Sequence, residues 1–298
     1  MRLRAYALLV ATTMMWAGNT IVGKLAVGHI SPAVLTHLRW TIAIVILFPI
    51  AWPHLKKEWP VIRNRLPYLF VLGTLGFTIF NNLFYIAFKY TSALNVAIEQ
   101  ASMPLFIFIL SFLIFGSRPT RFQIIGFAIT ITGVATVASH GQLSRLADLD
   151  VGLGDGLILL AVVSYGAFTL ALRWKPDLHW ASLMLTLSVS AFIGCIPVTL
   201  WEYSAGEAML PDTQGLVVLI YAALFPSILA QVFYIRGNEL IGAGRAGAFI
   251  NLVPLFATGL AVTILGEQLM LYHIAGIVLV LGGITLAEQG HDTARKSG

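Results

Sequence analysis

Charge is what this chain has least of. Only 10% of its 298 residues are Asp, Glu, Lys or Arg, against 58% hydrophobic residues and a mean hydropathy of +0.86. That is too little polar surface to cover a water-soluble globule, so the sequence reads as an integral membrane protein. Cysteine is almost missing as well. Cys195 stands alone inside an apolar run, which excludes a disulfide framework and a thiolate metal cluster and leaves it a small packing residue. No His-Glu-x-x-His and no Gly-x-Ser-x-Gly occurs, and His37 has no metal-ligand partner at helical spacing. Gly152, Gly154 and Gly156 are followed by no Lys-Ser/Thr and so make no phosphate loop. These absences argue against an intramembrane enzyme and against ATP-driven pumping, and no cofactor is expected.

What is present is hydrophobic length. Ten runs are long enough to cross a bilayer as helices, at roughly 5 to 28, 33 to 52, 67 to 89, 93 to 115, 122 to 139, 155 to 173, 180 to 201, 215 to 235, 244 to 265 and 271 to 289. The expected fold class is therefore an all-α integral membrane protein of ten transmembrane helices. Arg2 and Arg4 precede an apolar run and Ala26-Val27-Gly28 loosely resembles a cleavage site, but removing that segment would leave the sixth span without a counterpart. It is read as the first span.

The net charge of +5 would suggest nucleic acid in a soluble protein; here the placement of the basic residues matters more. Arg2, Arg4, Lys56, Lys57, Arg63, Arg65, Arg118, Arg121, Arg173, Lys175, Arg236, Arg245, Arg295 and Lys296 fall at one set of helix ends, and only Lys89 and Arg145 at the other. By the positive-inside rule both termini are cytoplasmic, with Asp148, Asp150, Glu202, Glu207, Asp212 and Glu267 facing outward. The longest basic loop, holding Lys56, Lys57, Arg63 and Arg65, is expected to anchor the topology between the second and third spans.

The second half replays the first. Phe84-Tyr85-Ile86 matches Phe233-Tyr234-Ile235 at an offset of 149, and Pro104, Gly116, Gly126 and Gly133 match Pro254, Gly266, Gly276 and Gly283 at 150. Each half has an odd number of spans, so the second enters from the opposite side. That is an inverted repeat of five plus five helices, the layout of secondary transporters that alternate about a midplane site. The expected divisions are a first repeat at 1–139, an extracytoplasmic linker at 140–154, a second repeat at 155–290 and a cytoplasmic tail at 291–298.

Polar residues inside the spans form two shells. At about 1.5 Å of rise per residue, Asn19, Asn81, Asn82, Glu99 and Gln100 lie roughly 4 to 8 Å outside the midplane, and Gln231 and Asn251 roughly 6 to 11 Å inside it. Asn19, Asn82, Gln231 and Asn251 can hold a zwitterion, or equally bind helix to helix. Trp16, Tyr85, Tyr165, Phe168 and Tyr234 can wall an apolar slot, or simply pack. Lys24, Arg39 and Glu99 are too costly to face lipid, so they should face the interior as vestibule charges or as an ion-pair cluster. Pro104 and Pro254 free backbone carbonyls in paired helices, which permits bends that serve as gates or as static kinks. Gly73, Gly76, Gly126, Gly133, Gly276 and Gly283 let helices approach closely.

Several of these residues recur in a known pattern. Trp16-x-x-Asn19 with Lys24, the Pro32 to Arg39-Trp40 segment, Gln100-Ala101-x-x-Pro104-Leu105-Phe106 and the Pro254 to Gly266-Glu267 ending resemble the ten-helix EamA branch of the drug/metabolite transporter superfamily. Within it the chain is most similar to bacterial aromatic amino acid exporters of the inner membrane, and the resemblance covers residues 5 to about 289. One departure shows: the fourth span ends Gly116-Ser117 where members often have Gly-Glu, as in Gly266-Glu267. The resemblance implies secondary transport of amino acids or related metabolites. Its nearest rival is a nucleotide-sugar carrier, which would want several cations converging on phosphates. A channel or receptor would want ring symmetry or repeated loops, and neither is visible. The expected partners are a small-molecule substrate and the lipid bilayer, with no nucleic acid, and the chain is expected to act as a monomer.

Overall fold

The computed structural model describes residues 2–116, 120–142, 152–241 and 249–296. Most of the 140–154 linker and the start of the ninth apolar run lie outside the described residues, as do Arg118, Arg145 and Arg245. All regular structure among the described residues is helical. Among the described residues, eight helical stretches are long and apolar enough to cross a membrane: Leu3–Leu25, Pro32–Asn64, Leu66–Ala87, Ala93–Ile114, Arg121–Ala138, Leu153–Trp174, Trp180–Ser204 and Thr213–Gly237. Two shorter apolar helices follow, Phe249–Leu265 and Leu271–Ala287.

In chain order the helices are α1 (Arg2–Leu25), α2 (Pro32–Asn64), α3 (Leu66–Gly73) and α4 (Phe80–Ala87), then α5 (Ala93–Gln100), α6 (Met103–Phe115) and α7 (Arg121–Ala138). The second half brings α8 (Leu153–Ala171), α9 (Trp180–Ser204), α10 (Thr213–Leu224), α11 (Ala230–Ile241), α12 (Val253–Leu265) and α13 (Leu271–Lys296). A π-helical turn, Thr74–Ile79, joins α3 to α4, and another, Phe225–Leu229, joins α10 to α11. Shifted by half the chain, the two turns fall at the same place.

The helices pair in a matching way. α7 lies along α13, α2 along α9, α1 along α11 and α12, and α8 along α4 and α6. Glycines set the closest approach: a Cβ at Gly126 would meet the Gly283 carbonyl oxygen, and a Cβ at Gly283 would meet the Gly126 carbonyl oxygen. Gly73 is closed on by Ser190 and the Leu187 carbonyl of α9, and Gly76 by the ring of Phe168. Small residues let backbones meet where no hydrophobic effect drives helices together in lipid.

Two expectations are corrected. The second helix does not stop at residue 52; α2 runs to Asn64 through Pro49, Pro53 and Pro60, so the basic stretch with Lys56 and Lys57 is helix rather than loop. Contacts hold this extension in place of the hydrogen bonds the prolines remove. Lys56 sits 4.7 Å above the Trp52 ring, His54 stacks on His179 at 3.6 Å, and Glu58 accepts the His179 backbone N–H at 2.8 Å. The fourth span is likewise not one bent helix. It breaks at Ala101 and Ser102, and Pro104 lies in the first turn of the new helix α6, where its missing N–H breaks no hydrogen bond. Pro254 occupies the same first-turn position in α12, after a 3₁₀ turn at Phe249–Leu252.

Carboxylates finish several helix starts from across the fold. Glu202, near the end of α9, accepts Ser31 Oγ at 2.6 Å and the Ala33 N–H at 3.1 Å, capping α2. Glu58, near the end of α2, returns the arrangement at the start of α9. Glu267, just past α12, takes the Ala93 and Leu94 N–H groups of α5, both at 2.9 Å. Each satisfies donors that a helix leaves free at its N-terminus, where negative charge is also favoured.

Candidate functional site

The middle of the fold holds a guanidinium. Arg39, on α2, is 5% exposed, and among the described residues no carboxylate lies within ion-pair distance of it. Its Nε donates to Ser227 Oγ at 2.6 Å, and its Nη1 donates to Asn81 Oδ1 and to the Tyr85 hydroxyl, both at 2.7 Å. The Tyr85 hydroxyl in turn donates to Asn19 Oδ1 at 3.0 Å. All these partners are neutral, so the positive charge is solvated by dipoles rather than cancelled.

The π-helical turns supply two of those dipoles. Ser227 lies inside the second turn and donates to the Ala222 carbonyl at 2.7 Å; Asn81 follows the first turn and donates to the Phe77 carbonyl at 2.7 Å. A π-turn inserts one residue, re-aims the side chains after it, and often marks a functional site. Elements from both halves thus converge on one cation.

Aromatic rings surround it. The guanidinium carbon lies 5.1 Å from the Trp40 ring centre and 6.0 Å from that of Tyr85. Trp40 stacks on Phe77 at 4.4 Å, Phe77 meets Phe168 at 5.6 Å, Phe168 meets Tyr165 at 5.2 Å, and Tyr165 meets Phe80 at 4.9 Å. From the other side Trp16 meets Tyr234 at 5.4 Å, and Tyr234 and Arg39 both act electrostatically on Tyr165. A cavity of about 60 Å³ runs from Ala26, Ser31 and Met209 down to Tyr85, with Lys89 and Glu207 at its rim, their Nζ and Oε2 atoms 4.0 Å apart. It has room for a few waters and not for an amino acid.

The structure thus brings Trp16, Asn19, Arg39, Tyr85, Tyr165, Phe168 and Tyr234 into one neighbourhood. Gln231 lies half-buried on α11, and Asn251 lies half-buried on the 3₁₀ turn before α12. Asn82 points elsewhere: it donates to the Thr78 carbonyl at 2.8 Å and lies 3.6 Å from Cys195 Sγ on α9, and its buried Oδ1 has no partner among the described residues. No ion pair joins Lys24, Arg39 and Glu99. The Lys24 ammonium donates to the carbonyls of Phe88 and Thr91 at 3.0 and 2.8 Å, closing the end of the α4 segment.

Glu99 belongs to a second cluster that sequence reasoning did not assemble. Asp155, in the first turn of α8, acts on it electrostatically. Asp155 Oδ1 accepts Thr91 Oγ1 at 2.7 Å and Asn95 Nδ2 at 3.5 Å, while Asn95 Oδ1 faces His273 Nε2 at 3.2 Å. The visible signal was Thr91, Asn95 and Glu99 at intervals of four, one face of a helix. Ser227 had a signal too, the proline before it.

The EamA-like transporter family model matches the chain twice, over residues 3–139 and 152–288. The chain belongs to the EamA-like transporter family. It is a multi-pass membrane protein of a transporter family. An uncharacterized transporter, YetK, from Bacillus subtilis (strain 168) is 28% identical over 94% of this chain and 85% of the relative. A probable amino-acid metabolite efflux pump of Salmonella typhimurium is 26% identical over 96% of each. A solved crystal structure superposes with a TM-score of 0.63 at 16% identity, covering 97% of this chain and 99% of the other, a likeness of fold.

Proposed function

We propose that this EamA-like transporter is a secondary exporter of amino acids, aromatic or neutral, across the bacterial inner membrane, working by alternating access. The observation that carries this is the buried, uncancelled Arg39 guanidinium ringed by aromatic side chains. A guanidinium with neutral partners is matched to a carboxylate, which it can take in a bidentate fork. Trp40, Tyr85 and Tyr165 offer flat apolar faces beside it for the substrate's side chain. Arg39, buried with neutral partners, suits one carboxylate; a nucleotide sugar would need further cations, and Lys24 is already engaged with backbone carbonyls. The efflux pump among the relatives is named for amino-acid metabolites, which agrees with this reading.

Ten spans in two inverted halves, with both termini cytoplasmic, complete the proposal. The doubled family match, the equivalent π-turns and the exchange of caps between α2 and α9 support it. In that arrangement the cavity above Tyr85, about 60 Å³ with Lys89 and Glu207 at its rim, is an outward passage too narrow for substrate in this state. Pro104 and Pro254, each opening a helix after a break, give the halves their hinges. The protein works as a monomer on a small-molecule substrate in the lipid bilayer.

Liposomes holding purified protein test the substrate. Labelled Phe, Trp, Met and Thr are offered in turn, and at least one is expected to equilibrate faster than in empty vesicles. If none does, the amino acid reading is wrong.

A further inference from the structure

The second buried cluster centres on two carboxyl groups, Glu99 and Asp155. Glu99 is fully buried, and neither of its carboxyl oxygens has a hydrogen-bond partner among the described residues. Asp155 beside it is 1% exposed and differs in one respect: its Oδ1 accepts from Thr91 and Asn95. The Asn95 amide is oriented by His273, whose Nδ1 accepts the Met270 N–H at 3.1 Å, so that Nε2 carries the proton and donates to Asn95 Oδ1. Asn95 is left to point its NH₂ at Asp155. Donors therefore meet the Asp155 carboxyl, and among the described residues none meets that of Glu99. A buried carboxyl left without donors is stabilised by holding a proton.

Among the described residues, no cation pairs with Glu99. The helices packed most closely on α5 are α1, α7, α8, α12 and α13. Lys24 from α1 is bound to the Phe88 and Thr91 carbonyls, and Glu267 after α12 is bound to the Ala93 and Leu94 N–H groups. α13 contributes His273 and Tyr272, and His140 after α7 reaches Tyr272 with its Nδ1 3.4 Å from the hydroxyl. Of these groups and Asp155, Asp155 is the one that acts on Glu99.

Glu99 also sits at a hinge. It lies in the last turn of α5, and its carbonyl accepts both Ser102 Oγ at 2.6 Å and Ser102 N–H at 3.0 Å across the break before α6. Rotation at Ala101 and Ser102 would move the carboxyl relative to Asp155 and change the side from which water reaches it.

We propose that Glu99 and Asp155 form a proton-binding site, loaded and released as the α5–α6 break moves, and that this site couples substrate export to proton entry. The proposal rests on the transporter reading above and adds the driving ion. One proton binds from outside water, is carried at the carboxyl pair, and leaves to inside water. No other charge moves with it.

Two measurements test it. In purified protein in liposomes, infrared difference spectra across a pH step are expected to show a protonated carboxyl C=O band that Glu99→Gln removes. A band unchanged in Glu99→Gln overturns the site, and this readout needs no substrate. With a transported amino acid, the ratio of uptake driven by a pH gradient to exchange at equal pH is expected to fall at least tenfold in Glu99→Gln. An undiminished ratio, or uptake driven by a sodium gradient in place of a pH gradient, overturns the coupling. Should no amino acid on the panel move, the substrate reading fails alone and the infrared band still decides the proton site. Glutamine keeps the shape of Glu99, and a melting curve close to wild type shows that the variant is folded.

Discussion

Arg39 spends three of its five N–H donors on neutral groups, and each such bond to a charged donor contributes about 1.5–3 kcal/mol. Lysine keeps the charge and loses the fork. Arg39→Lys is therefore expected to raise the KM for transport by about tenfold or more, the equivalent of roughly 1.4 kcal/mol, with protein level and melting temperature little changed. Uptake kinetics at several substrate concentrations check it, and an unaltered KM would remove the guanidinium from the binding site. Asn81 and Asn82 give a paired comparison. Asn81→Ala takes an acceptor from Arg39 and should lower transport, whereas Asn82→Ala takes a contact from the α9 interface and should lower the melting temperature instead. Equal losses of transport in both variants would put Asn82 at the substrate after all.

At the scale of elements, the fold rests on close backbone contact between α7 and α13. A side chain at Gly126 or Gly283 must displace a backbone carbonyl, which cannot swing away as a side-chain tip can. Gly126→Val or Gly283→Val is expected to destabilise by about 1–3 kcal/mol, visible as a lowered melting temperature. Gly259→Ala and Gly282→Ala, where an added Cβ meets nothing within 4 Å, should leave it unchanged. Outside the membrane-spanning helices, Asp212 caps α10 by accepting the Gly215 N–H at 2.8 Å and pairs with His29 at 2.7 Å. The Gly215 amide first, then His29, holds the Asp212 carboxyl below the ordinary aspartate range. A lowered carboxyl stabilises above its unfolded value and loses that contribution as the pH falls through the folded value. Protection of the Gly215 amide from hydrogen exchange is thus expected to fall only below about pH 4, and to fall at neutral pH in Asp212→Ala.

Across the whole molecule, what could be read from the sequence was whatever leaves a period or a repeat. The apolar runs, the small residues between helices and the matched prolines all do so. The π-turns leave no period, since they add one residue to a helix that continues; Pro226 was the outward sign of one of them. Asp155 was hidden because it borders a polar linker, and a carboxylate there reads as solvated until α8 is seen to bury it against Thr91 and Asn95. The exchange of caps between Glu58 and Glu202 was equally invisible, yet it bears directly on topology. Each caps the start of the other's helix, so α2 and α9 run antiparallel with their far ends on opposite sides of the fold. With the orientation proposed above, Lys57 lies inside the cell and Ala205 outside. In a Cys195→Ala background, a membrane-impermeant maleimide is expected to label Ala205→Cys on intact cells, and Lys57→Cys only after the membrane is opened. Labelling of both from the same side would refute the inverted arrangement. An exchange of the two sides would keep the inversion and reverse the orientation of the whole protein, with both termini outside.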